Sequence, residues 1–321
     1  MSLSRGLLVA CITLVAPILV SCAAAVPEPG RTVSRTMPEP IAGYERTYSV
    51  FLPSTYTSER TWPVVIAIHG AFSDAAYHEE RTGFSRLAED QGFVVLYPEG
   101  IGILGFFRHW NAGHCCARAL EEDLDDAGFI FAALEHVASE VNIDRRRVYV
   151  TGFSNGGMLT HFIGSQHGGR VAAIAPVAGA LGGSETPAEP LWRIPDAERP
   201  VPTMLLHGTA DDRVPYGGGP RPDQPESQQY LSVDNAAEYW RHQNGCGVAA
   251  SQQERHGGLV SLARWESCDS GAEVQLWTLN NWRHTWPGPD DPTNPVEPAL
   301  DGFNAAAEIW RFFSRHALPG Q

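Results

Sequence analysis

A succession of short, unbroken apolar runs constrains this chain most. "WPVVIAIHG" (Trp62 to Gly70), "FVVLYPEG", "RRRVYVTGF", "VAAIAPVAGA" and "VPTMLLHG" each carry apolar residues at successive positions. Such runs suit strands covered on both faces, because a half-exposed strand would alternate. Helical segments are interspersed with them: "FSRLAEDQGF", "AGFIFAALEHVASEV", "NGGMLTHFIGSQ", "SVDNAAEYWRHQNGC" and, closing the chain, "NAAAEIWRFFSRHAL". "YERTYSVFLP" reads as an edge strand ended by proline, and "AEVQLWTL" as an alternating strand. Strands interleaved with helices predict an α/β fold with a mostly parallel sheet, helices on both faces and right-handed crossovers. Ligands of such sheets sit beyond the carboxyl ends of the strands, so residues just after strands are the ones to search.

The region outside this pattern is short. Arg5 precedes "GLLVACITLVAPILV", too short and too proline-interrupted for a comfortable membrane span but suited to the apolar part of a signal peptide. It ends in Leu19-Val20-Ser21-Cys22, which resembles the lipobox of bacterial lipoproteins. The expectation is a signal peptide over 1–22, lipidation at Cys22, and an extracellular or cell-envelope location with membrane contact only through that anchor. A plain secretory signal cut near "CAAA" is the competing reading. Residues 23–41, rich in Pro and small polar residues, read as a flexible linker, leaving 42–318 as one catalytic-size domain. A formal net charge of −14 over 321 residues argues against nucleic acid and anionic lipid as partners. A monomer is expected.

Four cysteines lie beyond the signal region: Cys115, Cys116, Cys246 and Cys268. An even count in an exported chain suggests disulfides. Cys246 and Cys268 flank a polar stretch between a helix and a strand and are paired here; Cys115 and Cys116 are neighbours, and a bond between them is the second expectation. A zinc site on His114 with the two adjacent cysteines is disfavoured, since neighbouring thiolates are poorly spaced for one tetrahedral ion. The acidic run Asp123-Leu124-Asp125-Asp126 reads as a favourable helix start rather than a calcium site.

Three polar residues follow strands. Gly152-Phe153-Ser154-Asn155-Gly156 fits G-x-S-x-G, the strand-to-helix turn that exposes a nucleophilic serine, with glycines where side chains would collide. An ordinary turn is the bland alternative; the placement between a buried run and a helix favours the nucleophile. A hydroxyl needs a base during attack. Of the four histidines after Asp212, His242 and His316 fall in helices and His256 in a polar loop, whereas His284 sits in "NNWRHTWPG" after the last strand. In "HGTADDRVPYGG", Asp211 is the expected acid that orients the base, with Asp212 the alternative. Serine, then acid, then histidine is the chain order of α/β-hydrolases. The oxyanion donors expected are the amides of Asn155 and of Ala71, with Phe72 second for the latter. His69 reads as a structural hydrogen-bonder. Trp286, Tyr216 and Trp110 are candidate linings of an acyl pocket, with core packing the competing reading for each.

Together "VYVTGFSNGGMLTHF", "LLHGTADDRVPYGG", "RHTWPG" and "WNAGHCCA" followed by "DDAGF" resemble the LpqC-like polyhydroxybutyrate depolymerase and feruloyl esterase family, carbohydrate esterase family one. The resemblance spans roughly Ala42 to Leu318. It implies an α/β-hydrolase fold, a triad on Ser154, Asp211 and His284, no cofactor and no metal, and exported ester substrates, either feruloyl or acetyl esters of polysaccharide or short polyhydroxyalkanoate oligomers. A catalytically inactive surface protein or a peptidase on the same fold is the alternative. Two departures bear on the substrate: "HGAFSDAAY" lacks the cysteine or extra glycines many relatives carry after His-Gly, and "NNWR" puts Trp282 and Arg283 where relatives often have glycine, a bulk expected near the mouth.

Overall fold

The computed structural model describes residues 26–103, 105–288 and 302–320. The expected signal peptide, Cys22 and the first residues of the expected linker lie outside them. Ten strands form the main sheet: β1 (Arg31–Thr36), β2 (Thr47–Leu52), β3 (Trp62–Ile68), β4 (Val94–Pro98), β5 (Ile143–Phe153), β6 (Ala173–Val177), β7 (Thr203–Gly208), β8 (Ser251–Arg255), β9 (Val260–Trp265) and β10 (Val274–Leu279). Their order across the sheet is β1-β2-β4-β3-β5-β6-β7-β10-β9-β8. The central block from β4 to β10 is parallel throughout, and antiparallel pairs flank it at both ends. This is the α/β-hydrolase architecture.

The apolar runs become the parallel block because each strand is covered twice. Alternate residues of β3 belong to different cores: Val64, Ile66 and Ile68 to one, Val65 and Ala67 to the other. Helices α4 (Asp126–Ala138), α5 (Asn155–Gln166) and α6 (Val233–Gln243) pack on the first face; α1 (Ala75–Thr82), α2 (Phe84–Gln91) and α7 (Ala305–Phe313) supply side chains to the second; the short α3 (Ala117–Glu121) buries Ala119 in a small separate cluster with Ile101 and Leu124. Helix boundaries follow local capping. Asp74, Asp125, Ser232 and Asn304 each accept an amide of the helix they precede, and Gly83 and Gly92 close α1 and α2 in the left-handed region.

Two elements differ from the sequence reading. Arg31–Thr36, taken there as linker, is β1, paired antiparallel with β2 from Arg31↔Leu52 to Thr36↔Thr47. It is an edge strand with few buried side chains, so its polar composition resembles a linker while its backbone groups pair. The polar stretch between Cys246 and Cys268 holds the β8–β9 hairpin, which covers β10, so "AEVQLWTL" is an interior strand, almost wholly buried, and not an alternating one. The Cys246 and Cys268 sulfurs, 2.02 Å apart, bracket that hairpin. Cys115 and Cys116 are joined to each other.

Candidate active site

Ser154 stands where β5 turns into α5. Its backbone lies at φ 55°, ψ −121°, a conformation that bulky residues rarely adopt and that the flanking glycines make possible. A side chain on Gly152 would strike the Gly156 carbonyl; one on Gly156 would strike the carbonyl oxygens of Ile68 and His69. The Ser154 amide donates to the Val177 carbonyl at 2.9 Å, tying the turn to β6. Asn155 is the first residue of α5, so its amide is among those that a helix leaves without an internal partner.

Asp211 follows β7 and His284 follows β10, and both reach Ser154. His284 Nε2 is 2.9 Å from Ser154 Oγ, and His284 Nδ1 is 2.7 Å from Asp211 Oδ2. The strands that carry the acid and the histidine are direct neighbours, Gly208 standing opposite Leu279. The other carboxylate oxygen of Asp211 accepts the amides of Arg213 at 2.9 Å and Val214 at 2.8 Å. His207 adds a contact that the sequence reading missed: its Nε2 is 2.8 Å from the Val214 carbonyl and 3.2 Å from Asp211 Oδ2. Burial alone would raise the Asp211 carboxyl, but the hydrogen bonds from His207 and His284 outweigh it and hold the group well below the usual carboxylate range. Asp211 is therefore an anion aimed at the Nδ1–H of His284, which leaves Nε2 facing the serine. Asp212 points outward, 59% exposed, with Arg213 at 3.8 Å. The geometry thus separates two adjacent aspartates that the sequence could only rank.

The serine and histidine open on a cleft of about 490 Å³ lined by Gly70, Ala71, Phe72, Tyr77, His78 and Phe153 among others. Both residues considered for the second oxyanion donor line the cleft, but the Phe72 amide is committed to the Arg108 carbonyl at 2.9 Å, which favours Ala71. Phe153 lies 4.8 Å from the His284 ring, centre to centre. The three aromatics proposed as pocket lining are elsewhere. Trp110 is fully buried, with its indole N–H on the His69 carbonyl at 2.9 Å. Trp286 is buried beneath the cleft, edge-on to His78 and Phe84. Tyr216 places its hydroxyl 2.7 Å from Thr278 Oγ1 and its ring against His207. Large aromatics after strands more often fill the core than face solvent. Trp282 is also buried, its indole donating to the Thr285 carbonyl at 3.1 Å, so it does not narrow the mouth.

A buried polar lattice ties the serine turn to the segments that flank the cleft. The Asn155 carboxamide accepts the Trp110 amide at 2.8 Å and donates to the Trp110 carbonyl at 3.1 Å. The residue after the serine thereby clamps "WNAGHCC". Asp126 accepts the Asn111 amide at 2.7 Å and pairs with Arg46 at 2.7 Å, both side chains being essentially inaccessible. Arg46 also lies 3.8 Å over the Phe129 ring. The acidic run thus does more than start a helix: Asp125 caps α4, and Asp126 is a buried anchor. His69 is fully buried; its Nδ1 is 2.7 Å from the Gly70 carbonyl while Nε2 accepts the Gly100 amide at 3.0 Å, the structural role expected of it. Burial pushes its pKa down to about 4, in keeping with a neutral ring. His114, considered for zinc, is buried against Trp192 at 5.6 Å between ring centres.

Comparison with known proteins fits this geometry. Residues 46–220 match the family model described as esterase PHB depolymerase. Feruloyl esterase B of Piromyces equi is 29% identical over 243 residues, 73% of this chain and 42% of that protein. The bifunctional acetylxylan esterase/xylanase of Neocallimastix patriciarum is 27% identical over 284 residues, 87% of this chain and 34% of that protein. The chain spans less than half the length of these two relatives. Among solved structures, acetyl xylan esterase from Aspergillus awamori superimposes with a TM-score of 0.61 at 15% identity, covering 89% of this chain and 99% of that one.

Proposed function

The chain belongs to the esterase PHB depolymerase family, and from that premise we propose that it is a serine esterase that hydrolyses carboxylic esters through an acyl-enzyme. The observation that carries the reading is the unbroken run of contacts from Asp211 through His284 to Ser154, at 2.7 Å and 2.9 Å, opening on a cleft. His284 Nε2 takes the serine proton as Oγ attacks the ester carbonyl, and the Asp211 carboxylate stabilises the imidazolium that results. The amides of Asn155 and Ala71 hold the oxyanion of the tetrahedral intermediate. The C–O bond to the alcohol then breaks, and His284 returns the proton to the leaving oxygen. Water, deprotonated by His284, cleaves the acyl-serine in the same manner and releases the acid. No step calls for a metal or cofactor.

Substrates fitting the relatives' names are feruloyl or acetyl esters on polysaccharide and short polyhydroxyalkanoate oligomers. The N-terminal apolar run and Cys22 support export with a lipid anchor, and the pairing of β1 extends the proposed catalytic domain back from residue 42 to about Arg31. A panel of p-nitrophenyl acetate and butyrate, methyl ferulate and hydroxybutyrate oligomers tests the reading. Wild type turns over at least one ester, and Ser154→Ala lowers kcat by roughly 10⁴ or more. Full turnover in the alanine variant would refute the assignment.

A further inference from the structure

Among the described residues, the exposed large aromatic side chains are Phe72, Tyr77, Phe106 and Phe107, and all four lie on the segment after β3 or on the hairpin that Phe72 touches. Phe72 and Tyr77 line the Ser154 cleft. Phe72 meets Phe107 edge-on at 6.0 Å, and Phe106 precedes Phe107 on the short hairpin of Ile101–Ile103 and Phe106–His109. Exposures of 70%, 69% and 62% for Phe72, Phe106 and Phe107 are far from what core side chains show. Phe72 and Phe107 also hold φ values of 61° and 54°, in the left-handed region that bulky residues avoid. The bond from the Phe72 amide to Arg108 locks one of these strained residues onto the strand that carries the other. Strain that displays apolar rings to solvent gains nothing for folding, and such outliers gather at sites of ligand contact.

Phe72 is a shared wall. On its far side lies a second cleft of about 670 Å³ lined by Phe107, His109, Arg118, Glu121 and Glu122 among others. We propose that this second cleft and its aromatic rim bind a neutral polysaccharide, the alcohol portion of the ester cleaved at Ser154; the proposal rests on the esterase reading above. Chemistry selects the occupant. A polyester backbone carries acceptors and no donors, so laying it over the Glu121 carboxylate strips that group of water without replacing a hydrogen bond, whereas Glu122 already accepts from Arg118 Nε and the Tyr44 hydroxyl. Sugar hydroxyls donate to Glu121 and accept from the terminal N–H groups of Arg118, whose Nε is held by Glu122, while the apolar faces of pyranose rings lie on the phenylalanines. The same carboxylates and the formal charge of −14 repel an anionic chain.

The test uses Ser154→Ala protein, which binds without turning over. In native gels containing soluble neutral xylan it is retarded, and adding Phe106→Ala with Phe107→Ala removes most of the retardation. Phe107→Trp, which keeps an aromatic face, retains it, and thermal unfolding checks that every variant is folded. With Ser154 restored, the Phe106→Ala/Phe107→Ala pair lowers kcat/KM on acetylated xylan relative to p-nitrophenyl acetate by about tenfold. Retardation that is absent in the parent or unchanged in the double variant overturns the proposal. So does sedimentation of the parent with polyhydroxybutyrate granules in place of binding to xylan. If wild type binds xylan through these rings but cleaves no ester, the esterase reading fails and the surface stands.

Discussion

Ser154, Asp211 and His284 stand just beyond the carboxyl ends of β5, β7 and β10, whereas the opposite wall of the cleft, Gly70 to Arg81, leaves β3 and belongs to a region reaching to Asp126 that is held by other means. On the first side, parallel pairing sets the geometry: aligned strands deliver their following residues to one rim, and short loops do the rest. On the second side, buried polar bonds to distant residues do that work: Asn155 on Trp110, Asp126 on Asn111, Arg46 on Asp126 and His69 on Gly100. The first region holds the residues proposed for chemistry; the second concentrates buried polar contacts beside a strained, exposed aromatic rim. The difference teaches that the Ser154–His284–Asp211 contacts are reached through backbone topology, while the rest of the cleft depends on side-chain contacts between segments far apart in the chain.

The contrast can be broken from the triad side first. Asp211→Asn keeps an acceptor for the Arg213 and Val214 amides but reverses the partner offered to His284, and it should lower kcat by about 10⁴. Asp212→Asn on the same turn should leave kcat within about twofold. Equal losses in the two variants, measured with p-nitrophenyl acetate, would mean that the adjacent carboxylates share the task. On the wall side, Arg46→Met strands the buried Asp126 carboxylate and should cost about 3–5 kcal/mol in urea unfolding. A loss under about 1 kcal/mol would show that the wall does not depend on that pair.

Smaller effects sharpen the comparison. Replacing Cys246 and Cys268 together by serine frees the base of the β8–β9 hairpin, remote from both walls, and should cost about 2–4 kcal/mol. Turnover per folded molecule should stay at the wild-type level, as an ester assay beside the melting curve would reveal. Buried histidines give the smallest effect when counted per pH unit. Burial lowers His69 and His114 to about 4, and His78 and His161 to about 3. Unfolded imidazoles titrate near 6.5, so below that pH the unfolded chain binds protons that the folded chain refuses. Their stabilising contribution is whole above about pH 6.5 and declines as pH falls toward 4, by about 1.4 kcal/mol per pH unit for each ring. Tm should fall steadily from pH 7 to pH 4.5, and His161→Gln should lower the slope by one proton's worth. A flat Tm across that range would contradict neutral burial of these rings.

How much was legible follows from the range over which each signal acts. The parallel block and the helices are written in periods of a few residues, and the caps at Asp74, Ser232 and Asn304 are local bonds. Ser154 was readable because a glycine-flanked serine between strand and helix is itself a local steric pattern, and His284 because chain order left it the best-placed histidine. β1 was missed since an edge strand with one paired side needs little apolar character. Trp110, Trp286 and Trp282 were misplaced because an aromatic after a strand can turn inward or outward, and only neighbours remote in sequence decide which. His207 gave no signal of its own, since its importance lies in reaching Asp211.

By itself, then, the order of apolar runs, helices and glycines determined a doubly covered parallel sheet with a serine, an acid and a histidine at its rim. Tertiary structure alone decided which of two neighbouring aspartates faces the imidazole, and which aromatic rings meet solvent. The reason is physical: periodicity and steric permission are properties of adjacent residues, whereas the direction of a side chain is fixed by the atoms packed against it, and these arrive from everywhere in the chain.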